Sequence, residues 1–172
     1  MPRQVALLRG VNVGPTTKVG MAPLREVFAR LGFTEVKTYV NSGNVVFDGR
    51  KASVAKVEAA IAEELGWEVP VVLRTQDELR AVVEANPLGE VATNAARYLV
   101  LFADGDVDPA KAADLDPEAY APEAFALADR EVHLWLPDGL PKSRLGKVMS
   151  EKRFGVRLTG RNWRTVGKLA EL

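Results

Sequence analysis

The order of hydrophobic patterns in the first 75 residues is the feature that most constrains the fold of this chain. The apolar run 4–8 suits a buried strand, and the apolar residues within 24–31 then recur at helical spacing. Alternating residues at 35–40 and an apolar run at 44–47 predict two strands joined by a tight turn. The chain therefore begins with a strand, a helix and a strand hairpin.

A second helix and a fourth strand complete this order. Ser53 can cap a helix, and Gly66 can end it. The run 69–73 predicts the next strand. The order β-α-β-β-α-β is that of the split βαβ, or ferredoxin-like, unit. The stripe expected to be buried on the second helix is Val54, Val57, Ile61 and Leu65.

The second half of the chain repeats the order of elements with weaker patterns. Asp108 and Pro109 are suited to begin a helix, Ser143 can cap a helix that runs to about Phe154, and Asn162 can cap a last helix. The strands expected in this half are 98–102, 124–128, 132–136 and 156–158.

We therefore expect an α+β fold with two ferredoxin-like (βαββαβ) units in tandem. The first unit is expected at 1–75, a linking helix and loop at 76–95, and the second unit with a C-terminal helix at 96–172. The patterns leave open whether the two units share one core or form two lobes.

The cysteine and histidine contents exclude several kinds of chemistry. The 172 residues include no cysteine and one histidine, His133. Disulfides, thiol nucleophiles and a metal site with two or three imidazoles from one chain are excluded, and we expect no metal site. No paired carboxylates are apparent, and a lone histidine in a strand is more often structural than catalytic. The sequence leaves the catalytic residues, if the protein is an enzyme, and any cofactor unknown.

The hydropathy pattern favours a cytoplasmic protein with no membrane partner. No apolar stretch approaches the about 18–20 residues that a membrane-spanning helix needs. The N-terminal apolar run ends at Arg9, which is too early for the core of a signal peptide.

Charge is distributed unevenly, although the formal net charge is zero. The net charges are +4 for 1–50, −1 for 51–75, −10 for 76–141 and +7 for 142–172. The two basic ends can pack near the acidic middle of the chain, or they can form a face that binds anions.

The loop 9–20 has the composition of an anion-binding loop. Its glycines allow close approach of a ligand to the backbone, Arg9 and Lys18 supply cationic donors, and a helix follows. Asn12 adds an amide in the same loop. The spacings of the P-loop and of the dinucleotide fingerprint are absent. A loop whose glycines only make turns is the alternative.

The hairpin turn adds polar groups at the same end of the first sheet. In the split βαβ topology, the first strand ends where the hairpin turns, so the loop 9–20 should lie beside it. The hairpin offers Asn41, Ser42 and Asn44 as donors and acceptors, although these residues also suit a tight turn.

A third polar cluster precedes the last helix. Arg161 and Asn162 stand at the predicted helix start, where they can hold an anion, or Asn162 can simply cap the helix while Trp163 anchors it. The candidate ligand-binding set combines these two residues with the polar residues of the first half. Its members are Arg9, Asn12, Lys18, Asn41, Ser42, Asn44, Arg161 and Asn162.

Three motifs in order resemble the bacterial domain-of-unknown-function 1697 family. They read VALLRGVNVG at 5–14, TYVNSGNVVF at 38–47 and RNWRTV at 161–166. The resemblance covers essentially the whole chain and implies an α+β fold built from ferredoxin-like parts. It supplies no activity and no catalytic residues.

Three functions stay open on these observations. The first is binding of a phosphate-bearing or other anionic ligand, with a nucleotide or nucleic acid included. The second is an enzyme that acts on a small polar or anionic substrate without metal or thiol chemistry. The third is a structural or interaction protein whose motifs hold its two halves together. The basic glycine-containing loops favour binding over catalysis.

Overall fold

The computed structural model describes residues 2–12, 16–40 and 43–172 and shows a mixed α+β architecture. Its strands form two four-stranded antiparallel sheets, in the orders β2-β3-β1-β4 and β6-β7-β5-β8. The strands are β1 (Arg3–Leu8), β2 (Thr34–Tyr39), β3 (Asn44–Asp48), β4 (Val71–Thr75), β5 (Tyr98–Ala103), β6 (Ala124–Leu127), β7 (Glu131–Trp135) and β8 (Leu158–Asn162). The α-helices are α1 (Met21–Arg30), α2 (Val54–Leu65), α3 (Gln76–Ala85), α4 (Leu145–Val148), α5 (Glu151–Phe154) and α6 (Trp163–Glu171).

The chain divides into two compact units. The first comprises Met1–Ala81 with Leu169–Leu172, and the second comprises Val82–Lys168. The domain limits expected from the sequence, 1–75, 76–95 and 96–172, stay a prediction.

In the first unit, α1 and α2 pack on one face of the sheet. The aromatic rings of Phe28, Phe33 and Phe47 form the centre of this core, with ring centroids 5.0 Å apart for Phe28 and Phe47 and 4.6 Å apart for Phe33 and Phe47. The rings of both pairs are tilted relative to one another, and such aromatic pairs stabilise a core beyond the apolar area that they bury. The helices and strands of this unit follow the order that the sequence predicts.

The ends of α2 confirm the expected capping residues. Ser53 Oγ accepts the backbone N–H of Lys56 at 3.4 Å, and Gly66 takes a left-handed conformation with φ 79°. Val57 and Ile61 are buried, as their spacing predicts. Val54 is 40% exposed, which corrects its expected place in the buried stripe. It lies in the first turn, directly after the capping residue.

In the second unit, two 3₁₀ turns occupy the place of the first helix. The helix expected after Asp108 is the 3₁₀ turn Pro109–Ala112, and a second turn, Pro117–Tyr120, follows it. Asp108 and Asp116 cap these turns through their carboxylates, each followed by a proline. The second proline lacks an N–H group and disfavours a helical residue before it, so a helix begun at Pro109 cannot continue through Pro117.

The helix expected from Ser143 to Phe154 is two short helices, α4 and α5. Ser150 interrupts it, because its hydroxyl accepts the N–H of Arg153 at 3.2 Å and caps α5. The strand expected at 156–158 is β8, Leu158–Asn162. Its polar residues obscure the apolar pattern on which strand prediction depends.

None of the helices within the described part of the chain is long and apolar enough to cross a membrane.

Candidate functional site

Three segments of the first unit meet where β1 ends. The N–H of Leu8 donates to the carbonyl of Gly43 at 2.8 Å, and the N–H of Arg9 donates to the carbonyl of Pro70 at 2.9 Å. The loop after β1, the turn before β3 and the segment before β4 therefore lie together. This confirms the expectation that the loop 9–20 and the hairpin share one end of the sheet. We call this region the first-unit loop end.

Gly43 permits the close approach of the hairpin to the first loop. Its φ is +82°, and a methyl group at this position would lie 2.5 Å from Val11 Cγ2 and 2.8 Å from Leu8 Cβ. Both the backbone conformation and the space favour glycine. Residues Asn41 and Ser42, which belong to the predicted ligand-binding set, lie outside the described residues.

The side chain of Asn12 closes the first loop. Its Oδ1 accepts the N–H of Val19 at 2.8 Å, its Nδ2 donates to the carbonyl of Val19 at 3.3 Å, and its own N–H donates to Thr17 O at 2.8 Å. Asn12 has a left-handed φ of 55°, which asparagine tolerates better than most residues. The side chain of Asn12, which the sequence predicts to bind a ligand, thus holds the loop together. Its bonds with Val19 also keep the preceding residue, Lys18, near Asn12.

The two cationic residues of this loop end are exposed, whereas Asn44 is buried. Arg9 and Lys18 are both exposed to solvent. Asn44 has no exposed surface, and its Nδ2 donates to the carbonyl of Tyr39 at 2.9 Å across the hairpin. A ligand from solvent therefore meets the guanidinium and the ammonium group, whereas Asn44 supports the turn.

Arg161 lies in the second unit, near the end of β8, which pairs antiparallel with β5. Its side chain is buried, and Nη1 donates to Thr159 Oγ1 at 2.9 Å and to the carbonyl of Gly160 at 2.8 Å. Burial lowers the pKa of the guanidinium to about 10, because a charged group loses hydration there.

Asn162 begins the last helix. Its Oδ1 accepts the N–H of Thr165 at 2.9 Å, which is the geometry of an N-terminal cap. The structural interpretation of Asn162 is thereby confirmed, whereas its binding of an anion stays a prediction.

His133 lies in an aromatic cluster of the second unit. Tyr98 and Trp163 are stacked with ring centroids 4.2 Å apart, and the imidazole of His133 is 6.2 Å from each ring. The side chain is 1% exposed, and Nδ1 has no hydrogen-bond partner. Burial lowers the pKa of His133 to about 4, so the imidazole is neutral at pH 7.

One buried cation was not singled out by the sequence patterns. Arg74 on β4 is 3% exposed, and its Nη1 donates to the carbonyl of Leu73 at 3.0 Å. It pairs in register with Val5, as Arg161 pairs with Val100. An arginine within an otherwise apolar strand, such as VVLRT, is the sequence signal that could have identified it.

Residues 2–12, 16–40 and 43–172 contain no group of three or more histidine, cysteine, aspartate or glutamate side chains arranged to hold a metal ion.

Comparisons with known proteins agree with the fold described above. A family model described as "Protein of unknown function (DUF1697)" matches residues 1–133. A solved structure, that of conserved bacterial protein SP0830 from Streptococcus pneumoniae, is similar over 99% of this chain and 97% of that chain, with 26% sequence identity and a TM-score of 0.78. No curated protein matches the chain.

Proposed function

The chain belongs to the DUF1697 family, and we propose from the geometry of its first unit that it binds a phosphate-bearing or other anionic small molecule. The observation that carries this proposal is the first-unit loop end, where exposed Arg9 and Lys18 belong to a loop whose backbone meets the hairpin and the start of β4. Guanidinium and ammonium groups form charge-assisted hydrogen bonds with phosphate and carboxylate oxygens.

The charge of this loop supports an anionic ligand. Between residues 9 and 20 the chain carries two cations and no carboxylate. Asn12 closes the loop through three hydrogen bonds. Because a closed loop loses less conformational entropy when a ligand binds, this arrangement favours affinity.

A small anion is favoured over a nucleic acid by the first sheet. RNA-recognition domains of the same element order stack bases on exposed aromatic side chains of their sheet. The one aromatic residue of β3, Phe47, has no exposed surface and packs against Phe28 and Phe33. Binding of RNA through a stacking platform on this strand therefore lacks support.

The proposed architecture behind this function is a tandem of two ferredoxin-like units. The first sheet has the order β2-β3-β1-β4 with α1 and α2 as its crossovers, and the second sheet has the corresponding order β6-β7-β5-β8. We place the protein in the cytoplasm as part of the same proposal.

Calorimetric titration with inorganic phosphate, and separately with ATP, tests the proposal. Arg9→Gln and Lys18→Gln should each weaken binding about tenfold, because each removes one charge-assisted hydrogen bond worth about 1.5 kcal/mol. Arg164→Gln and Lys56→Gln are matched controls at exposed positions and should leave affinity within about twofold. Equal losses in the control variants, or no binding by the unaltered protein, would overturn the proposal.

A second titration separates a small anion from a nucleic acid. Fluorescent single-stranded RNA and DNA should bind no more tightly at 50 mM than at 200 mM salt if the ligand is a small molecule. Salt-dependent binding of either strand that Arg9→Gln abolishes would replace the small anion with a nucleic acid.

Thermal melting separates binding from a purely structural role for the same arginine. Arg9 is exposed, so Arg9→Gln should leave the melting temperature within about 1–2 °C of that of the unaltered protein. A drop of several degrees without a change in phosphate affinity would favour the structural role.

A further inference from the structure

A groove separates the C-terminal turns of α1 and α2 in the first unit. Its volume is about 380 Å³, within the range of about 300–1,000 Å³ that is usual for small-molecule pockets. No residue of this groove belongs to the first-unit loop end. The groove is lined by Val27, Arg30, Leu31, Ala60, Glu63 and Glu64.

The floor of the groove is apolar. Val27 is 2% exposed, and Leu31 and Ala60 are partly buried residues that pack against the core of the unit. An alkyl chain that covers Leu31 and Ala60 would remove their remaining apolar surface from water.

The rim of the groove has more negative than positive charge. Arg30 is its one cation, and Nη2 of Arg30 donates to Glu64 Oε2 at 3.0 Å. Glu63 is a second carboxylate on the rim, and Glu26 lies close enough to act on the same guanidinium. The pKa of Arg30 is raised, first by the hydrogen bond with Glu64 and then by the charges of these carboxylates. One guanidinium thus faces three carboxylates.

The ends of the two helices add to this negative potential. The carbonyl groups of a helix C-terminus carry a partial negative charge, and cations there are favourable. The last turn of α2 nevertheless contains Glu63 and Glu64 and no basic residue. This placement opposes the helix dipole, and such departures from local preference are expected at functional sites.

We infer that the groove binds a linear alkylammonium compound, with the ammonium group at Glu63 and Glu64 and the alkyl chain on Val27, Leu31 and Ala60. A positively charged ammonium group is attracted by the excess of carboxylates on the rim, and an alkyl chain packs on the apolar floor of the groove. Alkyl carboxylates are excluded by the same carboxylates, and an uncharged diol lacks the attraction. This site is separate from the proposed anion site and does not depend on it.

Titration of the ¹⁵N-labelled protein with 1,6-diaminohexane, followed by ¹⁵N–¹H NMR, tests the inference. The amides of Leu31, Ala60 and Glu63 should shift and saturate, whereas hexanoate and 1,6-hexanediol at the same concentrations should leave them unchanged. No saturable shift with the diamine, or an equal shift with hexanoate, would overturn it.

Two variants test the charges and the floor separately. Glu63→Gln keeps the Arg30–Glu64 pair and should weaken diamine binding about fivefold or more. Glu84→Gln, also an exposed glutamate in the last turn of a helix, lies outside the groove and should leave the affinity unchanged. Ala60→Leu should fill the floor and abolish binding; retained affinity in this variant would place the diamine elsewhere.

The two proposed sites can fail independently. Lys18→Gln should bind the diamine as the unaltered protein does, and Glu63→Gln should bind phosphate as the unaltered protein does. A loss of diamine binding in Lys18→Gln would contradict the assignment of the diamine to the groove.

Discussion

In the first unit, the backbone N–H of Arg9, the residue after β1, donates to Pro70 O at 2.9 Å. In the second unit, the N–H of Asp104, the residue after β5, donates to Arg157 O at 3.0 Å. Each of these hydrogen bonds joins the residue after the first strand of its unit, β1 or β5, to the residue before the fourth strand, β4 or β8. The same backbone hydrogen bond is thus made by a cationic residue, Arg9, in the first unit and by an anionic residue, Asp104, in the second.

The neighbouring hydrogen bonds extend this correspondence. The N–H of Leu8 donates to Gly43 O at 2.8 Å, and the N–H of Ala103 donates to Arg130 O at 2.9 Å. Gly43 has a φ of +82°, whereas Arg130 is not among the residues of positive φ. The first unit therefore needs a glycine where the second accommodates an arginine.

The loops after β1 and β5 differ in charge. Residues 104–108 contain three aspartates, while 9–20 contain two cations and no carboxylate. The carboxylate of Asp104 also accepts the N–H of Arg157 at 2.9 Å, so the acidic side chain supports its own unit. The backbone hydrogen bonds that the two units share therefore do not by themselves predict anion binding. The anion binding that we propose depends on the side chains of the first unit.

A buried arginine occupies the same position in both units. Arg74 and Arg161 are each the fourth residue of the fourth strand, and each donates to the carbonyl of the preceding residue. The next residue caps a helix in both units, through Thr75 in the first and Asn162 in the second. We infer that this strand–helix corner is a shared structural element.

The largest expected effect comes from these arginines. Arg74→Ala and Arg161→Ala should each lower the free energy of unfolding by about 3 kcal/mol, because each removes a large buried side chain and its hydrogen bonds. Urea denaturation measures the change, and the exposed Arg164→Ala should alter it by less than about 0.5 kcal/mol. A small effect at one of the two positions would show that the corners are not equivalent.

The next effect concerns the position at which the two hairpins differ. Gly43→Ala should lower the free energy of unfolding by about 2.5 kcal/mol, through its positive φ and its contacts with Val11 and Leu8. Gly10→Ala is the matched control, because its φ is +76° but no atom lies within 4 Å of the added methyl group. It should cost about 1 kcal/mol. Equal costs in urea denaturation would remove the role of close approach at Gly43.

The two units should differ in the pH dependence that a histidine confers, since His133, the one histidine of the chain, lies in the second unit. Its pKa is lowered from 6.5 to about 4 by burial, so folding favours the neutral imidazole. The contribution of His133 to the free energy of unfolding should be complete above pH 6.5 and should fall as the pH decreases towards 4, with a loss of about 2 kcal/mol between pH 7 and 5. Urea denaturation at both pH values measures the loss. In His133→Phe it should largely disappear, and an unchanged pH dependence would assign the effect to other groups.

The smallest effect on stability is expected at Arg9. Arg9→Asp gives the first unit the charge that the second has at the corresponding position. Because the side chain is exposed, the free energy of unfolding should change by less than about 0.5 kcal/mol. Phosphate binding should nevertheless be lost in calorimetric titration. A variant that still binds phosphate would show that charge at this position does not distinguish the two loops.

The first unit was more predictable from the sequence than the second, for physical reasons. Its helices have clear apolar stripes, and Ser53 and Gly66 mark the ends of α2. In the second unit, the helix expected after Asp108 is two 3₁₀ turns, the second of which begins at Pro117. Ser150 divides the other expected helix by capping α5. β8 contains Gly160 and Arg161, which are not typical of a buried strand.

The candidate site was predictable in its location but not in the roles of its side chains. Topology placed the loop 9–20 beside the hairpin, and the backbone hydrogen bonds confirm this. Composition could not separate Asn12 and Asn44, which hold turns together, from exposed Arg9 and Lys18. The hydrogen bonds that occupy an amide depend on the folded loop, and residue type alone does not specify them.

The central claim is that the first unit binds anions at its loop end and the second unit does not bind them at the corresponding loop. ¹⁵N–¹H NMR during titration with inorganic phosphate tests this most directly. We expect saturable shifts for the amides of Arg9, Asn12, Lys18 and Gly43, unchanged amides at 104–108, and no shifts in Arg9→Asp. Shifts of similar size at 104–108, or none at the first-unit loop end, would contradict it.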